Sequence, residues 1–102
     1  MLTALLLLTQ AAPQPSSIDL WRTCVLREVD RYAVLDEPAG SLVSASLLLC
    51  REQRDAAKAD IRKQEPVRTD AMAESVADRV EGTLREIATR RLLDTRLAAR
   101  KR

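Results

Sequence analysis

Residues 17–57 read SIDLWRTCVLREVDRYAVLDEPAGSLVSASLLLCREQRDAA, with one cysteine on each side of Asp36-Glu37-Pro38. Cys24 lies 13 residues before Glu37 (37 − 24), and Cys50 lies 13 after it (50 − 37). Both flanks carry a helical pattern and the centre carries turn residues. Folding the chain at that turn brings the two sulfurs to the same height, roughly 20 Å from the bend at about 1.5 Å per residue. The stretch predicts an antiparallel helical hairpin closed by a Cys24–Cys50 disulfide.

Each flank supports this reading. In the first, Ile18, Trp21, Val25, Val29 and Tyr32 recur at spacings of 3 and 4, which marks one face of a helix over 17–35. Ser16 or Ser17 suits its N-cap, and Asp19 falls in the first turn, where a carboxylate complements the helix dipole. Trp21 sits one turn from Cys24, placed to shield the disulfide. In the second flank, Asp36 is expected as N-cap with Glu37 and Pro38 in the first turn. Leu42, Val43, Leu47, Leu49 and Cys50 then supply the buried face, with Ala45, Ser46 and Gln53 smaller or more polar. If Cys24 faces Cys50, Val25 meets Leu49, Tyr32 meets Leu42 and Ser17 meets Ala57. Beyond Ala57 the first helix has ended, and from Lys58 to Gln64 Ile61 is the one sizeable apolar residue.

Outward from the hairpin, Glu65-Pro66 stops the second helix, because the residue before a proline is pushed out of the α region. Residues 65–69 form a linker, and Thr69 or Asp70 caps a helix running over 70–102. Its apolar stripe is Val76, Val80, Leu84 and Ile87, led by Met72 or Ala73 and drifting through Ala88 and Leu92 to Leu93 and Leu97. Gly82 is expected to bend or fray it. Glu81–Arg85 and Glu86–Arg90 are i, i+4 pairs in the favourable order. The helix either docks on the hairpin as a third arm, the favoured arrangement, or projects as a short coiled coil.

Residues 1–12 carry the run Leu5-Leu6-Leu7-Leu8 followed by small residues, and 13–16 form a Pro/Ser spacer. That layout is a signal peptide cleaved after Ala11 or Ala12. The run is too short to span a bilayer. Export agrees with the disulfide, which persists in oxidising compartments. The alternative is a cytoplasmic, reduced protein whose N-terminus stays on.

Composition excludes several chemistries. The chain has 102 residues, 17 basic and 15 acidic, with no histidine, two aromatic residues (Trp21 and Tyr32) and two glycines. Ala, Leu, Arg, Glu and Asp dominate, which favours helix over sheet. Without histidine there is no Ser-His or Cys-His nucleophile pair and no histidine metal site. The two cysteines form neither a four-cysteine zinc site nor a Cys-x-x-Cys redox motif. No Gly-rich phosphate loop and no Gly-x-Ser-x-Gly elbow occurs. Lys58 and Lys63 lie on the polar overhang, away from Ser44 and Ser46. The sequence therefore predicts a non-enzyme with no cofactor.

The net charge of +2 gives no overall attraction to nucleic acid. From Arg90 to Arg102, however, six bases stand against Asp94 alone. Arg96, Arg100, Lys101 and Arg102 are a candidate anionic-surface patch, and no aromatic residue lies there to stack on bases. The expectation is an exported, periplasmic or secreted, all-α module that binds a protein partner or self-associates through its apolar edge. The alternative is an envelope binder that acts through the basic C-terminus.

Overall fold

The computed structural model describes residues 14–64 and 66–101. These residues form four helices in three arms: α1 (Ser17–Tyr32), α2 (Ala39–Leu49), α3 (Arg51–Arg62) and α4 (Asp70–Arg100). The chain is all-helical, and the α1 arm and the α2–α3 arm make the hairpin joined by Cys24–Cys50. The proposed leader, residues 1–12, lies outside the described residues.

α1 starts on a capping box. The Ser16 hydroxyl accepts from the Asp19 N–H at 3.1 Å, and the Asp19 carboxylate accepts from the Ser16 N–H at 3.4 Å. Two of the four donors that a helix start leaves unpaired are met in this way. Trp21, Cys24, Val25 and Val29 are buried, with Ile18 and Tyr32 packed at the edge of the core. The helix stops at Tyr32, short of the expected span to residue 35, and the Leu35 N–H closes a turn on the Tyr32 carbonyl at 3.0 Å.

Asp36 does not cap the next helix. Pro38 occupies the cap position at φ −56°, ψ 140°, and its carbonyl accepts from the Ser41 and Leu42 N–H groups. The reason is steric. Glu37 precedes a proline and is barred from the α region, so it cannot form part of a first turn.

The second arm is two helices rather than one. It breaks at Cys50, whose backbone lies at φ −99°, ψ 22°. The buried face of α2 is Leu42, Val43, Ser46 and Leu47, followed by Cys50. Leu49, expected opposite Val25, is 57% exposed, and Ser46 takes the inward place. The Ser46 hydroxyl donates to the Leu42 carbonyl at 2.9 Å, which lets a polar side chain sit in the core.

α4 is capped by Thr69, whose hydroxyl accepts from the Met72 N–H at 3.1 Å. It runs unbroken through Gly82 and docks along the hairpin, contacting all three other helices. The contact line is Ala73, Ala77, Leu84, Ala88 and Leu92, all buried. The valine and isoleucine stripe lies beside this line, half-buried at Val76, Val80 and Ile87. Alanine at the closest approach lets the helix backbones come together, while the branched residues fill the flanks.

Candidate functional site

Two regions concentrate chemistry: the crosslinked core with its charged lid, and the end of the bundle where the hairpin turn meets α4.

The core centres on the Cys24–Cys50 bridge, with a Cα–Cα distance of 6.0 Å. Cys50 is fully buried and Cys24 nearly so, and Trp21 joins the same cluster with 0% exposure. The Arg54 guanidinium lies 6.0 Å from the centre of the Trp21 ring, within cation–π range. Arg54 also spans to α4, meeting Glu74 at 2.6 Å, Asp78 at 2.8 Å and Glu81 at 3.3 Å. Lys58, one turn on, meets Asp70 at 3.2 Å and Glu74 at 3.0 Å. Glu74 is shared by both cations. Hydrogen bonds from Arg54, then Lys58, hold its carboxyl well below the usual glutamate range, at about 2. The same bonds raise Arg54 and Lys58 above their ordinary values.

This clamp was legible in part. Asp70, Glu74, Asp78 and Glu81 fall at spacings of 4, 4 and 3 on one face of a helix, and Arg54 and Lys58 are four apart on another. What the sequence conceals is that the two rows face each other. Glu81 pairs with Arg54 rather than with Arg85, and Arg85 instead donates to the Ser44 hydroxyl at 2.9 Å.

At the other end of the bundle, the Arg91 guanidinium holds both Asp30 oxygens at 2.7 Å. The hydrogen bonds from Arg91 lower the Asp30 carboxyl. One turn further along α4, Arg96 donates to two backbone carbonyls of the hairpin turn, Leu35 at 2.9 Å and Glu37 at 2.6 Å. The turn is thereby tied to the third arm.

The candidate basic patch is therefore divided. Arg96 is half-buried and engaged with the turn. Arg100 and Lys101 are exposed at the helix end, where cations complement the dipole. Arg102 lies outside the described residues.

Around Arg96 and Arg100 the surface mixes apolar side chains with carboxylates. A groove between turn and helix is lined by Ala33, Val34, Leu35 and Ala99 together with Asp30, Asp36, Thr95, Arg96 and Arg100. A second depression, sharing both arginines, adds Leu93, Asp94 and Leu97. Val34 is 89% exposed, and Leu35, Leu93 and Leu97 are each about half exposed. Sequence reading missed Val34 and Leu35, because a short apolar pair beside a turn looks like the end of a core stripe.

Among the described residues, no group of three or more His, Cys, Asp or Glu side chains is placed to hold a metal ion. No described helix is long and apolar enough to cross a membrane. No family model, no curated protein and no solved structure matches the chain.

Proposed function

We propose that this is a small exported, non-catalytic protein that binds a protein partner or a second copy of itself through the turn end of the bundle. The observation that carries the reading is a set of four exposed apolar side chains at the turn end, Val34 and Leu35 in one groove and Leu93 and Leu97 in a second that shares its Arg96 and Arg100. Isolated exposed leucines are ordinary, but several together, rimmed by arginine and aspartate, resemble the surface of an association site. The turn is held by Arg96, so the group is presented on a stiff support, which lowers the entropy lost on binding. Export is supported by the intramolecular disulfide, which fits an oxidising compartment.

Site-specific photo-crosslinking in the native cell tests this. A photoreactive residue at Val34 or Leu93 should yield discrete crosslinked species, whereas one at exposed Asp60 should not. Absence of crosslinks from both Val34 and Leu93 would overturn the reading.

A second reading rests on Arg100 and Lys101, which are exposed and belong to no ion pair among the described residues. These side chains suit an anionic envelope surface. Lys101→Glu with Arg102→Glu separates the two readings without disturbing Arg96 or Arg100, which line the grooves at the turn end. The double variant should abolish sedimentation with phosphatidylglycerol vesicles and leave a protein contact in place. Only vesicle binding should weaken steeply with salt.

A further inference from the structure

The turn end of the bundle falls into two halves that differ in origin and in charge. The turn half is Val34 and Leu35 with Asp36, and exposed Glu37 stands beside it. The helix half is Leu93 and Leu97 with Asp94, Arg96 and Arg100. Each half offers two apolar side chains that are 46% exposed or more.

The charges divide between the halves. Arg91 and Asp30 neutralise each other within the chain. What remains is acidic on the turn, at Asp36 and Glu37, and basic on the helix, where Arg96 and Arg100 outweigh Asp94. None of these five side chains belongs to an ion pair among the described residues. Asp36 and Arg100 line opposite sides of one groove of about 470 Å³ without pairing across it.

These features suit one occupant, a second copy of the chain. A partner whose facing surface carried a single sign of charge would be attracted by one half and repelled by the other. A two-fold interface has a different requirement. The same patch on both subunits must complement itself, so that residue i meets j and j meets i. Two adjacent halves with opposite charge and equal apolar content meet that requirement, because the two-fold rotation lays the turn half on the helix half twice.

We propose that the chain forms a two-fold dimer through its turn end. Val34 and Leu35 of each copy pack on Leu93 and Leu97 of the other, and Asp36 pairs with Arg100 across the interface. The inference rests on the turn end being an association surface and names what occupies it. Arg96 keeps its bonds to the Leu35 and Glu37 carbonyls of its own chain, so the turn half is presented without rearrangement. Lys101 lies past both grooves and takes no part. The surface is at the small end for a specific interface, so dimer and monomer exchange and concentration sets their ratio.

Sedimentation equilibrium of the full oxidised chain tests this, with Asp36→Arg, Arg100→Glu, an equimolar mixture of the two, and the chain carrying both changes. The unsubstituted protein should pass from monomer to dimer as concentration rises toward millimolar. Each single variant sets like charges against each other at two places, because the two-fold repeats every contact, and should weaken association by about tenfold or more. The mixture should regain the dimer, since one contact then joins the two reversed charges and the other joins the two native ones. The doubly substituted chain should regain it alone. Two variants that are monomeric apart and pair when mixed are both folded, so misfolding does not explain the loss in either. A dimer that survives both reversals would overturn the proposal, as would reversals that neither mixing nor combination repairs. If the unsubstituted protein stays monomeric while photoreactive residues at Val34 and Leu93 crosslink to other proteins in the cell, the second copy is ruled out and the association surface stands. A monomer without crosslinks overturns both.

Discussion

Trp21 is buried to its last atom, yet its indole Nε1 has no acceptor among the described residues. Its value to the fold is bulk, not hydrogen bonding. Trp21→Ala should cost about 3–5 kcal/mol in denaturant unfolding, the range for emptying a large aromatic site. Trp21→Phe should cost far less, because the smaller ring also removes a buried donor that lacks a partner. Glu74 makes a different prediction, in pH. Its folded-state pKa of about 2 lies below the ordinary 4.5. Protons therefore bind the unfolded chain more tightly at this site, and the stabilisation is present above about 4.5 and lost as pH falls toward 2. Glu74→Gln should flatten the acid limb of a pH–stability curve between those values and lower stability at neutral pH. Glu74 is half-exposed, so salt should shrink the same contribution.

α4 is where sequence and structure part most instructively among the elements. Its valines and isoleucine mark the flank of the interface, whereas Ala73, Ala77 and Ala88 mark the line of closest approach. Ala88→Leu should therefore destabilise by about 1–3 kcal/mol through overpacking. Gly82→Ala should stabilise by up to about 1 kcal/mol, because a methyl there meets nothing within 4 Å and the helix runs straight through. Thermal melts of both variants check the pair together. The alanine line was not legible because alanine is common on every face of a helix in this chain and carries little hydropathic contrast. Ser46 and Leu49 exchanged places for a related reason: in Leu47-Leu48-Leu49 every position is apolar, so the pattern cannot say which leucine turns outward. The hairpin itself was legible, because the turn residues and two equidistant cysteines mark it independently. The break at Cys50 was not, since the leucine, arginine, glutamate and glutamine around it all favour helix. The role of Arg96 was hidden likewise: its acceptors are backbone carbonyls of the turn some 60 positions earlier, at separations of 61 and 59.

The whole molecule is three arms held by one covalent bond, a narrow core and two sets of charged contacts at opposite ends of α4. Chains of this size bury limited apolar surface and commonly need a staple. Replacing both cysteines with serine should lower unfolding stability by about 3–4 kcal/mol, as expected for closing a loop of this length. At this scale the association surface lies at the turn end, remote from the clamp that joins α3 to α4. Leu93→Glu with Val34→Glu should leave the melting profile nearly unchanged while abolishing association in analytical ultracentrifugation or crosslinking. Everything above depends on the Cys24–Cys50 bond existing where the protein lives. Its most direct test is the intact mass of the protein from its own cell, denatured and alkylated before and after reduction. Denaturation is essential, since both sulfurs lie in the core and would escape a reagent in the native state. Two alkyl groups gained only after reduction would establish the bond in the cell. Two gained at once would contradict it, and with it the crosslinked hairpin and the exported location proposed from it.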